Sequence, residues 1–209
     1  VLGFFNFLVI YVEQDKPSLV AVAFDELAPS FRHEMYVAYK GTRKGMPEEL
    51  RGQIPLIQEF LRLAGVQVIT QEGIEADDIL GTLGKREARA GSEVAILSGD
   101  RDLLQLAEPH LRILIPKTKK GGTETEIYTA TRVIQEYHTV ENAIAHAEEV
   151  RPPRAGKNLA EFADQARLSL TLATIVTDSR IDQEPLPYDP GSFGKSEALE
   201  FLKKYELRT

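Results

Sequence analysis

The sequence contains no cysteine and no tryptophan in 209 residues. Without cysteine there is no disulfide, no thiolate metal site and no thiol nucleophile. Such a chain suits a reducing compartment, and the expectation is a cytoplasmic protein. The four histidines, at 33, 110, 138 and 146, are scattered and make no zinc spacing. No run of about 18 apolar residues occurs, so no membrane span and no membrane partner is expected. The opening VLGFFNFLVIYV is apolar for only 12 residues. It has neither the basic start nor the small-residue cleavage site of a signal peptide. No GxSxG nucleophile site occurs. Gly81-Thr-Leu-Gly-Lys85 lacks the Walker spacing and falls inside a predicted helix.

What the chain has in excess is acid. Thirty-two Asp and Glu stand against 25 Lys and Arg, for a net charge of −7. A histone-like basic binder is excluded. A nucleic-acid enzyme is not, because there the local charge matters. Hydrophobic residues at 43% and charged residues at 27% are ordinary for a globular chain of one domain, or one domain with a small appendage.

Along the chain, apolar runs and helical stripes alternate. Residues 1–13 read as a helix, 18–24 as a buried strand, 47–64 as a helix stopped by Gly65, and 66–70 as a second strand. Residues 75–90 read as a helix closed by Gly91, 93–98 as a third strand, and 102–107 as a short helix. Strands at 111–116 and 124–128 flank a basic turn, and a helix spans 129–137. From His138 onward the pattern is helical, at 140–150, 158–174 and 196–207. The proline-bearing stretch 182–194 reads as an extended loop. The expected fold class is α/β, with a mostly parallel central sheet flanked by helices and a helical C-terminal half. The expected division is a core over 1–137 and a helical subdomain over 138–209.

Active sites of open parallel sheets form at the carboxyl ends of the strands. Here those ends carry acids repeatedly. Asp25 follows the first strand; Glu75, Asp77 and Asp78 follow the second; Asp100 and Asp102 follow the third. Six carboxylates at one sheet edge repel one another, and divalent cations relieve that repulsion. Oxygen-only ligands favour Mg²⁺ or Mn²⁺. Each acid also has a plainer reading. Glu75, Asp77 and Asp78 could decorate a helix N-terminus. Asp25 could be a turn residue or helix cap, and Asp100 with Asp102 an N-cap pair. The argument for a site is the coincidence of all three groups.

One local segment reverses the charge. Between 31 and 51 lie Arg32, Lys40, Arg43, Lys44 and Arg51, with His33, interleaved with Phe31, Tyr36 and Tyr39. That chemistry suits phosphates and stacked bases. The segment has no amphipathic stripe, and it is expected to be mobile or partly ordered without a ligand. The plainer reading is a solvated loop.

Three motifs then stand in order. Phe24-Asp25 precedes Phe31-Arg-His-Glu-Met-Tyr-x-x-Tyr-Lys-Gly-x-Arg43. Glu75-Ala-Asp-Asp78 follows, and then Ser98-Gly-Asp-Arg-Asp-Leu-Leu-Gln-Leu106. Together with Leu168-Ser-x-x-Leu-Ala-Thr-Ile-Val-Thr-Asp178, they resemble the bacterial 5′-nuclease family, and specifically the 5′–3′ exonuclease domain at the start of DNA polymerase I. The resemblance implies a 5′-nuclease, PIN-like fold and a structure-specific, flap endonuclease-like hydrolase. Its implied substrates are branched, flapped or nicked DNA and RNA primer–DNA, in replication and repair. A polymerase domain in the same polypeptide and a bacterial, nucleoid-associated setting are implied too. In the family, the motif acids hold metal. That implies Asp25, Glu75, Asp77, Asp78, Asp100 and Asp102 around two ions of Mg²⁺ or Mn²⁺. It also implies an arch at about 29–46, with Arg32, His33, Tyr36, Lys40, Arg43 and Lys44 on DNA and Lys40 and Arg43 on the scissile phosphate.

Two family elements are missing from the sequence. A strand patterned Asp-Gly-x-x-Leu-x-Tyr-Arg precedes these motifs in the family. A Gly-Asp-x-Ser-Asp-Asn segment and a Gly-x-x-Gly-x-Gly helix-hairpin-helix follow them. Here Tyr137 runs directly into His138-Thr-Val-Glu-Asn. Two rivals therefore stay open: a catalytically inactive, DNA-binding member of the family, and a metal-dependent phosphohydrolase acting on a small substrate.

Overall fold

The computed structural model describes residues 2–26, 28–42, 45–119, 122–136, 144–149 and 152–205. The chain forms two compact units, Val1–Ile79 with Ser179–Thr209, and Leu80–Asp178. The junction between Tyr137 and His138 lies outside the described residues.

In the first unit, α1 (Leu2–Asp15) sets Phe5, Leu8 and Val12 on one face. They pack with Ile57, Phe60 and Leu61 of α4 (Gln53–Leu63) and with Tyr188 and Phe201, the last on α9 (Ser196–Lys204). Phe60 is the hub, with ring centroids 4.2 Å from Phe5 and 5.8 Å from Phe201. The expected helix 47–64 is two pieces, α3 (Glu48–Arg51) and α4, meeting at Gly52. Pro55 accounts for the break. It has no N–H for the Arg51 carbonyl, and its ring crowds that carbonyl. Gly65, at φ +72°, then turns the chain out of α4.

The first strand is shorter than the apolar run that predicts it. β1 (Ala21–Ala23) pairs in parallel with β2 (Gln67–Ile69), Val22 opposite Val68. Phe24 extends the pairing by one N–H, donated to the Ile69 carbonyl. The proline-bearing stretch after 182 is tied back here, through a Leu19–Pro187 bridge and the Gln67 side chain bonded to Glu184 and Leu186 backbone.

The second unit holds a three-stranded sheet in the order β3-β4-β5, from β3 (Val94–Leu97), β4 (Leu111–Lys119) and β5 (Gly122–Tyr128). β3 and β4 are parallel, and β5 pairs antiparallel with β4 as far as Lys119 and Gly122, so Lys117–Lys119 of the expected basic turn belong to β4. The expected single sheet is therefore two sheets among the described residues, each with a parallel pair. Ser98 N–H donates to the Leu114 carbonyl, so Leu114 faces β3. Pro116, two residues on, faces the same way with no N–H to offer, and the β3 ladder stops at Ser98.

Helix α5 (Ala76–Arg89) begins in the first unit and continues into the second. Within the second, Gly81 and Gly84 let the helix lie close to Ile175 and Ile96. The Gly-Thr-Leu-Gly-Lys run is mid-helix, as expected. After α6 (Ala130–Glu136), Pro152 and Pro153 open α7 (Pro153–Glu161). The expected helix 158–174 is divided. α8 (Ala163–Ala173) follows Phe162, whose φ of −118° and ψ of 38° leave the helical region. Among the described residues no helix is long and apolar enough to cross a membrane.

Candidate active site

Glu75 stands immediately before α5, and its carbonyl accepts the first helical N–H groups, from Asp78 at 3.0 Å and Ile79 at 3.1 Å. Asp25, at the end of β1, reaches across to the same turn, and its Oδ1 accepts the Ala76 N–H at 2.7 Å. The acid at the strand end thus caps the helix that carries the other acids. Asp77 lies in the first turn of α5, half-buried.

Residues 30–40 of the arch segment, expected to be mobile or partly ordered, lie against this turn. They contain a short helix, α2 (Phe31–Met35), followed by tight turns. The missing stripe is a poor guide here because polar pairing, not an apolar face, fixes the segment. Ser30 Oγ donates to Glu75 Oε1 at 2.8 Å. Lys40 Nζ donates to Glu75 Oε2 at 2.9 Å, and the Tyr39 hydroxyl donates to the same oxygen at 3.3 Å. Arg32 forms a two-pronged pair with Asp78, Nη1 to Oδ2 at 2.6 Å and Nη2 to Oδ1 at 2.8 Å. Its Nη1 also lies 3.7 Å from Glu75 Oε2.

These contacts differ in burial. The Arg32 and Asp78 side chains are 4% and 0% exposed, whereas Lys40 is 28% and Glu75 12% exposed. The hydrogen bond to Asp78 raises the Arg32 pKa above its ordinary value against the opposing effect of burial. Burial works to lower the Lys40 ammonium, but its hydrogen bond and charge attraction to Glu75 overcome it, and the pKa is raised. Burial works to raise Glu75, and the hydrogen bonds from Lys40 and Ser30 outweigh it, so its pKa is lowered. Tyr39 is raised, by burial first and then by the Glu75 charge.

The remaining predicted residues fall as follows. His33 Nδ1 accepts the Ser30 N–H at 3.2 Å, and its ring meets Tyr39 edge-on. Tyr36 is exposed, next to exposed Met35 and Val37. Arg43 and Lys44 lie outside the described residues. Asp100 and Asp102 are exposed in the second unit, where Asp100 Oδ1 caps the following 3-10 turn by accepting the Asp102 N–H at 2.9 Å. The sequence reading missed Ser30 and Tyr39 as partners of Glu75. Ser30 had one local signal, its place just ahead of a helix start.

The donor chemistry fits a hard divalent cation, since the acids offer only carboxylate oxygen and no sulfur. Asp25 is exposed and Asp77 half-buried, while Glu75 is 12% exposed and has the half-exposed Lys40 as its closest cation. Asp78 has no exposed surface, and Arg32 engages both its oxygens. Among the described residues no three of His, Asp or Glu are gathered to hold an ion. Lys40 and Arg32 neutralise Glu75 and Asp78 in this arrangement.

A family model for the 5′–3′ exonuclease, N-terminal resolvase-like domain matches residues 1–138. DNA polymerase I of Bacillus caldotenax is 34% identical over 87% of this chain and 25% of that protein. DNA polymerase I of Bacillus subtilis is 31% identical over all of this chain and 28% of that protein. The chain therefore spans about a quarter of the length of these curated relatives. The Bacillus subtilis alignment runs to 248 positions against 209 residues here, so 39 of its positions have no counterpart in this chain. A solved structure of T5 5′-exonuclease with divalent metal ions (zinc) bound has the same fold, with a TM-score of 0.57 and 16% identity, over 98% of this chain and 90% of that one. With its ordered motifs, its α/β units and a match over residues 1–138, the chain belongs to the 5′–3′ exonuclease family, as a member carrying the N-terminal resolvase-like domain.

Proposed function

We propose that the chain is a divalent-metal-dependent 5′–3′ exonuclease and flap endonuclease of the DNA polymerase I type. It would hydrolyse phosphodiester bonds in branched, flapped or nicked DNA and RNA primer–DNA during replication and repair. The nuclease core is assigned to 1–137 and the helical subdomain to 138–209; the family match ending at 138 supports that boundary. We infer a polymerase domain in the same polypeptide, as in the DNA polymerase I relatives, and propose a cytoplasmic, nucleoid-associated setting.

The observation that carries the reading is the meeting of family acids and arch cations at one helix start, Glu75 with Lys40 and Asp78 with Arg32. Mg²⁺ or Mn²⁺, as two ions, would be held by carboxylates from the set Asp25, Glu75, Asp77, Asp100 and Asp102, while Asp78, both oxygens engaged by Arg32, would hold the arch. The ions would supply charge stabilisation and a water of lowered pKa. Lys40 and Arg43 would hold the charge of the scissile phosphate. His33, Tyr36 and Lys44 would contact the DNA strand, with Tyr36 offering an exposed ring for stacking, while Arg32, buried against Asp78, would hold the arch in place. The T5 structure with its bound divalent ions supports a metal cofactor.

The test is cleavage of a 5′-flap DNA with Mg²⁺ beside a generic phosphate ester. The wild-type chain should cut the flap and ignore the ester. Glu75→Gln should slow cutting by about 100-fold or more. Cleavage of the ester alone would favour a small-molecule phosphohydrolase. A second reading, a catalytically inactive DNA-binding member, is favoured by the 39 unmatched positions and by acids already paired with internal cations. Flap binding without cleavage would select it.

A further inference from the structure

We propose that Lys40 is a built-in competitor of the metal at Glu75, so that loading the cofactor ejects Lys40 from the carboxylate and frees it for phosphate. The proposal rests on the reading of Glu75 as a metal-holding carboxylate.

Three observations carry it. First, Glu75 is crowded with donors. Oε2 receives Lys40 at 2.9 Å and Tyr39 at 3.3 Å, with Arg32 at 3.7 Å, and Oε1 receives Ser30 at 2.8 Å. A carboxylate has about four lone-pair sites, and three are taken by hydrogen bonds. A doubly charged ion on either oxygen stands within a few ångströms of the Lys40 ammonium and repels it, whichever lone pair it enters.

Second, the cations at this turn are unequal. Arg32 is buried and held by two short bonds to Asp78, so it stays. Lys40 makes one ion pair among the described residues, is 28% exposed, and has a flexible stem, with Nζ 5.1 Å from the Tyr39 ring centroid. Of the two, Lys40 is the one that can leave.

Third, the backbone at Lys40 is strained. Its φ is +55°, the left-handed region that a residue with a Cβ enters at a cost. The Tyr39 N–H bonded to Tyr36 and the Gly41 N–H bonded to Ala38 close the tight turns on either side. The ion pair to Glu75, at 2.9 Å, is the shorter of two contacts that reward this conformation, the other being the Tyr39 ring at 5.1 Å. Breaking the pair lets the turn relax.

The consequence is an order of assembly. Metal and Lys40 exclude each other at Glu75, so each weakens the other's hold by the same factor. With the metal seated, the ammonium is released toward solvent and toward an incoming phosphate. The cofactor thereby arms the arch before DNA arrives.

The experiment titrates Mn²⁺ alone, without DNA, into the full 209-residue chain, reading free Mn²⁺ by electron paramagnetic resonance. Lys40→Met should bind Mn²⁺ roughly three- to tenfold more tightly than wild type, the range expected for removing one charge-assisted contact. Lys40→Arg keeps the cation and should stay within about twofold of wild type. Lys203→Met removes an exposed lysine from α9 and measures the general effect of one charge. Trypsin cleavage after Lys40 should quicken with Mn²⁺ in wild type, and should not in Glu75→Gln. If Glu75→Gln binds Mn²⁺ as well as wild type does, Glu75 is no ligand, and the reading beneath the proposal falls. If Glu75→Gln weakens binding but Lys40→Met equals wild type, or gains no more than Lys203→Met, the competition is refuted while the reading stands.

Discussion

Arg32 and Asp78, 46 residues apart, meet fork to fork at 2.6 and 2.8 Å, with almost no exposed surface on either side chain. Removing one partner leaves a buried charge unanswered, a loss of about 3–5 kcal/mol. Asp78→Asn should fall toward the lower end, because Glu75 lies 3.7 Å from Arg32 Nη1 and offers partial compensation. The double change Arg32→Met with Asp78→Leu should recover much of the loss. Urea midpoints at unchanged slope are the measurement. Equal stability of Asp78→Asn and wild type would mean the pair is not formed in solution.

Ser30 makes a different prediction. Its hydroxyl is the donor to Glu75 Oε1, and the residue is buried. Ser30→Ala should cost about 1–3 kcal/mol, as expected for a hydrogen bond to a charged group. Ser30→Thr keeps the hydroxyl and should lose less. Thermal melts of the two variants would tell them apart, and identical melts would contradict the bond.

Gly81 marks a close approach inside the second unit. A Cβ there would stand 2.7 Å from Ile175 Cγ2 and 3.2 Å from Leu106 Cδ2. Alanine is the better helix former, yet Gly81→Ala should destabilise by about 1–3 kcal/mol through overpacking. Adding Ile175→Leu removes the Cγ2 branch nearest the new methyl and should restore part of the loss. A stabilised Gly81→Ala would show that α5 stands farther from Ile175 than described.

Tyr188 gives a pH test. Burial, helped by the Asp189 charge, pushes its hydroxyl up to about 12. In the unfolded chain a tyrosine ionises near pH 10. Above pH 10 the unfolded state sheds this proton while the folded state keeps it, so stability falls as pH rises. The contribution is whole below pH 10 and drains away through about pH 12. Tyr188→Phe should flatten the decline measured by denaturant unfolding between pH 9 and 11.5. An unchanged slope would refute it.

The sequence was informative where chemistry is local. Glu75-Ala-Asp-Asp78 reads as a helix start because acids favour that end, and α5 begins there. Asp25 reads as a strand-end acid or a helix cap, and it is both at once. What escaped depends on distance along the chain. Nothing near Ser30 or Tyr39 announces a carboxylate 45 or 36 residues away. Arg32 reads as a surface cation because arginine is seldom buried, and only its fork-shaped match with Asp78 makes burial tolerable. The break at Gly52 was within reach, since Pro55 sits inside the expected helix.

The proline in β4 has a consequence for contacts between one molecule and the next. Beyond Leu114, β4 and β5 continue as a two-stranded ribbon with β3 no longer alongside. Such a ribbon offers its bare side to any passing strand, the usual seed of edge-to-edge aggregation. Pro116 lies on that side without a donor, so an intruding strand finds a gap in the row at its first step past Leu114. A residue that ends one ladder inside the molecule thereby discourages another from starting between molecules.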